Sequence, residues 1–460
     1  MAVEPKDVAI IGGGFAGLSA GVALAERGFR VALLESKPAL GGRAYSFTDP
    51  DSGDFVDNGQ HVLMGCYHET LALLGKIGTR DRLVAQRDLE IEMLAGPGDR
   101  AILRTARLPG PFHMTGAILR YRHLSLRERI KVMTAGLHLM YLRRFARDRL
   151  RRMTVAEFMN LTKQGERARR SFWYPLAIAT LNDEPALASA ALLAEVLKRA
   201  FFARRLDSSF LYSTVGLSEL YCDAARDFIE RRDGVVVCRA IVERFALDAE
   251  GTIATLHLRD GSTLGAANFI AAVTPDRLLK LLPEGAAKDP AFSGIPVLKS
   301  SPIICVHLWL DRAVTHSAFV GFIGTETQWL FNKRRLFDRR NDNHPGYLSF
   351  VISGARNLLE SSNDAVLELV MRDLRAMIPA AREAQVLKAL VLREKQATIS
   401  PDPISDANRP AVKTSIPNLF LAGDWIQTGL PATIESAVMA GNAAARAVIA
   451  RVGANTAAAA

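Results

Sequence analysis

Three glycines near the start of the chain carry the first chemical signal. Gly12-Gly13-Gly14-Phe15-Ala16-Gly17 spells GxGxxG between an apolar run, Asp7–Ile11, and an Ala- and Leu-rich stretch, Phe15–Arg27. In such a turn Gly12 permits the tight bend, Gly14 lets the backbone approach a pyrophosphate, and Gly17 lets a helix pack closely on a strand. The helix N-terminus, with Phe15 and Ala16 in its first turn, offers unpaired N–H groups to phosphates. Glu35 ends the next apolar run, 18 residues beyond Gly17, where an acid can bind a ribose diol. The expected chemistry is dinucleotide binding, and flavin and nicotinamide dinucleotides both use this pattern.

Two more segments join the first. Leu40-Gly41-Gly42-Arg43 follows Glu35 closely, and its arginine can pair with a phosphate through two parallel bonds. About 400 residues later, Asn418-Leu-Phe-Leu-Ala-Gly423-Asp424 ends an apolar run, and Gly429-Leu-Pro-Ala-Thr433-Ile434-Glu435 opens a helix. Between them, Phe55-Val-Asp57-Asn58-Gly59-Gln60-His61 holds a histidine, an amide pair and an acid in one short stretch.

These residues need elements to hold them. Asp7–Ile11 and Arg30–Glu35 read as buried parallel strands joined by the helix Phe15–Arg27, a βαβ unit. Leu124–Arg152 has a helical pattern, Thr154-Val-Ala-Glu157 is a capping box, and a further helix is expected from Pro185. Val235–Cys238, Ala240–Leu247 and Ile253–Arg259 are β-rich, Asp260-Gly261 marks a hairpin, and Asn268–Val273 reads as a strand returning to the sheet. Ser301–Leu310, Phe319–Ile323 and Tyr347–Ile352 suggest a second sheet, with a helix over Asn363–Ile378. The last helix is expected to run through Arg446, with a frayed tail after Gly453. The fold class is α/β. A Rossmann-like dinucleotide domain (1–80, 215–290 and 385–460) is interleaved with a mixed α+β substrate domain (81–214 and 291–384).

Composition fits this reading. Of 460 residues 49% are apolar and 23% charged, enough for two cores. Cys66, Cys222, Cys238 and Cys305 are scattered, with no histidine at metal spacing, so no metal is expected and a reduced cytoplasmic interior is. A first strand at Asp7 leaves no room for a signal peptide, and no apolar run reaches the roughly 18 residues that cross a bilayer.

In the Gly-Gly-Arg segment and the terminal Ala-Gly-Asp, the chain resembles the amine oxidases and carotenoid desaturases. That resemblance implies FAD. Gly41, Gly42 and Arg43 would lie along its pyrophosphate, with Ser36 beside Glu35 at the ribose end. Asp424, after Gly423, would accept from the ribityl hydroxyls, and Thr433 and Ile434 would turn their N–H groups to the flavin edge. Gly59 would cross beside the ring, and Val242 would meet adenine through its main chain. Only one nucleotide fingerprint is present, so an external electron donor, unnamed by the sequence, is expected. Further matches extend the likeness to one subgroup, the squalene-associated FAD-dependent desaturases or hydroxysqualene dehydroxylases. They include Arg107-Leu-Pro-Gly-Pro-Phe-His113, Phe172–Ala179, Trp329-Leu-Phe-Asn332 and Ala422–Pro431.

The resemblance implies reduction of hydroxysqualene to squalene for hopanoid synthesis: an acid protonates the allylic hydroxyl, water leaves, and reduced FAD delivers hydride. The alternatives are desaturation of a carotenoid precursor and non-catalytic binding of FAD or prenyl lipid. His61 is the candidate acid, or else a structural histidine. Gln60 and Asn58 are candidates for orienting the hydroxyl, and Asp57 is expected to be a structural acceptor. Trp173, Tyr174, Phe201, Phe202, Trp309, Trp329 and Phe331 line an apolar tunnel or fill ordinary core. Cys305, His307 and Trp309 share one strand face, as a pocket wall or a second sheet face.

Net charge is +10, and Arg120–Arg152 holds eleven basic residues against Glu128 and Asp148, a net +9. This segment, 120–152, reads equally as a basic amphipathic helix on the inner face of an anionic membrane and as a cap packed on the substrate domain. With no recognition fold beside it, nucleic acid is not the expected partner.

Overall fold

The computed structural model describes residues 6–337 and 344–459, the side chains of residue 287 and of 455–459 excepted. Its first sheet has a parallel half. Val235–Cys238, Val31–Glu35, Lys6–Ile11, Thr263–Ala271 and Leu419–Leu421 lie side by side in that order. Lys6–Ile11 ends in four buried residues and Val31–Glu35 is buried throughout, as strands covered on both faces must be. The helices Phe15–Ala25 and Ile434–Ala459 cover one face and pack on each other. That contact requires Gly441, where a Cβ would lie 2.2 Å from the Ala16 carbonyl oxygen.

The expected hairpin at Asp260-Gly261 joins Ile253–Leu258 to Thr263–Ala271 in antiparallel register. Asn268–Val273 is not a separate strand but the end of that longer one, which changes partners halfway along.

The second sheet is mixed, in the order Val386–Ile399, Ser300–Leu310, Gly346–Ser353, Trp329–Asn332, Phe319–Phe322, Glu90–Gly96 and Asp99–Arg104. Ile304, Val306, Leu308 and Leu310 face a core completed by the helix Asn363–Met377. The opposite face, with Cys305, His307 and Trp309, packs on residues 54–57. His307 Nε2 bonds the Asp57 carbonyl at 3.0 Å, and Trp309 Nε1 donates to Asp54 at 2.8 Å. The expected limit at 385 falls just before Val386–Ile399, which pairs within this second sheet.

Several boundaries differ from expectation. The helix expected at Pro185 begins at Ala190, where the Ser189 hydroxyl caps it by accepting from Ala191 and Leu192; residues 184–188 form a turn instead. Leu124–Arg152 is two helices, Leu126–Phe145 and Arg147–Arg151, broken at Ala146. The C-terminal helix does not fray after Gly453 but continues to Ala459.

Leu126–Phe145 presents apolar residues on both sides. Val132, Ala135, Leu139 and Leu142 are buried in the helical lobe. Leu126, Ile130, Leu137, Tyr141 and Phe145 are exposed, between 49% and 69%. Spacings of four and seven place those five on one face at 3.6 residues per turn. Phe112 and Leu119, on the neighbouring helix Phe112–Arg120, are exposed as well. Among the described residues no helix is long and apolar enough to cross a membrane.

Candidate active site

The carboxyl ends of the parallel strands open into a cavity of about 560 Å³ that continues to the second sheet. This is where an open α/β sheet holds its ligand. Every predicted cofactor residue except Gly17 lines it. Gly17 acts from behind: a Cβ there would stand 1.9 Å from the Gly12 carbonyl oxygen. Gly12 has φ +108° and would clash with Ala272, whereas a Cβ at Gly14 would meet only the Gly41 and Gly42 backbone, at 3.8 Å. Gly14 caps the helix Phe15–Ala25 without a side-chain bond, so the N–H groups of its first turn remain available.

Glu35 braces the same turn. Oε2 accepts from Gly13 N, and Oε1 from Lys37 N and Ser36 Oγ. Three donors leave capacity on a carboxylate that accepts about four. Gly41 and Gly42, at φ +121° and +62°, bring the second glycine segment against the first, with Gly41 N bonded to the Gly13 carbonyl at 2.9 Å. Tyr221, unremarked in the sequence beyond its motif, locks this pair. Its ring stacks on Phe15 at 3.6 Å, and its hydroxyl lies 2.9 Å from the Gly41 and Ala44 carbonyls.

Arg43 and Asp424 meet directly, with Nη2 2.5 Å from Oδ1, and Arg43 Nη1 also donates to the Ala397 carbonyl. Val242 lines the cavity, and its carbonyl accepts from Arg277. Behind Asp424, the buried Arg409 donates to the carbonyls of Asp424, Trp425, Ile426 and Leu430, clamping the loop before the last helix. Thr433 Oγ1 accepts from Ser436 N in that helix's first turn. Glu435 turns away to cap the helix His68–Lys76, accepting from Glu69 N, Thr70 N and Thr70 Oγ1. Glycine cradles, two helix N-termini, a spare carboxylate site and an arginine in one groove fit an extended dinucleotide.

Past the glycine segments, the stretch 58–62 forms a wall. Asn58 is committed to the backbone: Oδ1 accepts from Tyr45 N, and Nδ2 donates to the Arg43 carbonyl at 2.7 Å. It positions Gly41–Arg43 and is not free to orient a substrate hydroxyl as expected. Asp57 is the structural acceptor anticipated, taking Leu217 N and Lys333 Nζ. Lys333, missed in the sequence, also donates to Gln60 Oε1 at 2.7 Å.

His61 lines the cavity, and its buried Nε2 has no hydrogen-bond partner among the described residues. Burial first, and the Lys333 charge as well, lower its proton affinity against a smaller pull from Asp57. The ring is neutral near pH 7, which disfavours an imidazolium acid. Trp329 Nε1, in the same cavity, is likewise buried and without a partner among the described residues.

Of the seven candidate tunnel aromatics, Trp329 and Phe331 line the cavity. Trp173, Phe201 and Trp309 are buried in core, and Tyr174 and Phe202 pack against it. Phe210, Phe319, Ile303 and Val351, unassigned in the sequence, complete the apolar wall.

Comparison with known proteins agrees with this geometry. A hydroxysqualene dehydroxylase of Sinorhizobium fredii is 28% identical over 446 residues, 96% of this chain and 98% of that protein. A 15-cis-phytoene desaturase, chloroplastic/chromoplastic, of Glycine max is 25% identical over 465 residues, 97% of this chain and 80% of its own. Cyclohexylamine oxidase from Brevibacterium oxydans shares the fold, with a TM-score of 0.72 at 16% identity, covering 98% of this chain and 100% of that one. A putrescine oxidase triple mutant gives 0.72 at 16%, covering 97% and 99%. Residues 15–449 match the family described as flavin containing amine oxidoreductase. The chain belongs to that family, as an FAD-dependent oxidoreductase.

Proposed function

We propose that this oxidoreductase reduces a long isoprenoid alcohol, hydroxysqualene, to squalene. The observation that carries the reading is an apolar chamber whose walls hold two buried nitrogens without partners among the described residues, His61 Nε2 and Trp329 Nε1. Leaving such groups unpaired costs about 1–3 kcal/mol each. A substrate with one oxygen on a hydrocarbon chain relieves that cost, whereas phytoene, a hydrocarbon, relieves none of it. Both substrates occur in the names of relatives.

FAD would lie against Gly12–Ala16, Glu35, Ser36, Gly41–Arg43, Gly59, Val242, Gly423, Asp424, Thr433 and Ile434. When bound and reduced, it supplies the hydride that replaces the departing hydroxyl. The chain's part is to hold the alcohol, exclude water and assist loss of the oxygen. The carbon–oxygen bond breaks with both electrons on oxygen, a proton taken up from the medium completes water, and the hydride pair restores the carbon. His61 is proposed at that oxygen as a neutral hydrogen-bonding group. The electron donor that reduces the flavin is an external partner.

An anionic membrane is the proposed source of substrate. The exposed stripe of Leu126, Ile130, Leu137, Tyr141 and Phe145 lies within the net +9 segment, a combination suited to the headgroup region. A peripheral position on the cytoplasmic face of that membrane is part of the proposal. The test of the reaction has two arms. Protein reduced under anaerobic conditions should convert hydroxysqualene to squalene, and oxidised protein should leave phytoene unchanged. Desaturated phytoene without squalene would transfer the chain to the desaturase reading.

A further inference from the structure

Lys333 is almost wholly buried, at 1% exposure, where an ammonium is tolerated only with partners. It opens the short helix Lys333–Leu336 just after the strand Trp329–Asn332 of the second sheet. It reaches Asp57 Oδ2 at 2.8 Å and Gln60 Oε1 at 2.7 Å. Asp57 is itself fixed, accepting Leu217 N at its other oxygen and bonding His307 through its carbonyl. The lysine is therefore anchored on one side and holds Gln60 on the other.

Chemistry settles which end of Gln60 it holds. An ammonium only donates, so the amide end facing Lys333 is the carbonyl oxygen. The amide NH₂ is turned away, and its contact within the structure is the His61 carbonyl at 3.4 Å, long for a hydrogen bond. Gln60 lines the cavity beside His61. A strut between the second sheet and the short strand Phe55–Asp57 would need only Asp57; the bond to Gln60 adds control over a cavity residue. We infer that Lys333 and Asp57 lock Gln60 as a hydrogen-bond donor to the substrate's oxygen, so that the cavity selects isoprenoid alcohols over hydrocarbons of the same length. Lys333 is on this account a positioning residue, and Gln60 touches the substrate. The inference rests on the reading that the chamber holds an isoprenoid chain.

The test compares binding of hydroxysqualene and squalene to the oxidised FAD-loaded protein, read from changes in flavin absorbance. The wild type should bind the alcohol roughly tenfold more tightly than the hydrocarbon. Gln60→Glu keeps an oxygen on Lys333 but removes the donor, so the alcohol preference should fall roughly fivefold, with FAD content and squalene affinity unchanged. Lys333→Met should weaken alcohol binding roughly fivefold and leave squalene binding alone. Absence of any alcohol preference in the wild type, or an undiminished preference in Gln60→Glu, overturns the inference. Should Lys333→Met fail to fold, Gln60→Glu decides alone. If the preference follows Gln60 as expected but hydroxysqualene is never reduced, the lock stands and the proposed reaction falls.

Discussion

His61 shows how burial sets chemistry at a single residue. The sequence suggests a titrating acid because free histidine changes charge near neutral pH. In the folded chain burial outweighs Asp57 and holds the proton affinity of the ring below that of a free histidine, which favours the uncharged form. His61→Ala should retain FAD and lose turnover by about 100-fold, measured as squalene formed per bound flavin; near-normal turnover would remove His61 from the mechanism. His307 carries the same physics into stability. Burial, reinforced by Lys333, lowers its pKa to about 3. The unfolded chain takes up a proton near pH 6.5 while the folded one does not, so stability falls as pH drops below that value. The loss should reach about 2 kcal/mol by pH 5. Thermal midpoints from pH 7 to 5 should decline, and His307→Gln should flatten that decline; an unchanged slope would show that other groups govern it.

Among elements, the loop 424–430 depends on Arg409, whose guanidinium answers four carbonyls, only one of which, that of Asp424, also accepts from another side chain among the described residues, Ser436 Oγ at 3.1 Å. Arg409→Met should destabilise the protein by at least about 3 kcal/mol and release FAD, checked by flavin content after gel filtration and by urea unfolding. Full flavin retention would mean that the loop holds itself. Nothing around Arg409 in the sequence announces this role, because its partners are backbone oxygens 15 or more residues away. The glycine segments were legible for the opposite reason: Gly17 answers to the Gly12 carbonyl within the same turn, and the turn itself sets φ +108° at Gly12, although a Cβ there would also meet the distant Ala272.

Lys333 escaped notice because Asp57 lies 276 residues away in the chain. Val386–Ile399 escaped because it is half-buried on both faces and shows no alternation of apolar and polar residues. The helix expected at Pro185 was displaced by a better cap at Ser189. The strands around the cofactor groove could be read from local patterns; their full order, and the polar links from Lys333 to residues 57 and 60, could not.

On the scale of the whole molecule, the feature that stands out is a surface that is both greasy and basic. Arg127, Arg144, Arg147 and Arg149 are exposed beside the apolar stripe, whereas Arg143 is engaged with Glu195 at 2.8 Å. Changing those four exposed arginines to glutamate should abolish flotation with phosphatidylglycerol-containing vesicles and leave flavin content intact. Vesicle binding that survives would assign the surface another partner.

The reaction itself is tested most directly by a single turnover without oxygen. Protein whose FAD has been fully reduced, mixed anaerobically with excess hydroxysqualene, should regain its oxidised flavin spectrum and yield one squalene for each flavin reoxidised. A flavin that stays reduced until air is admitted, with no squalene formed, would contradict the account.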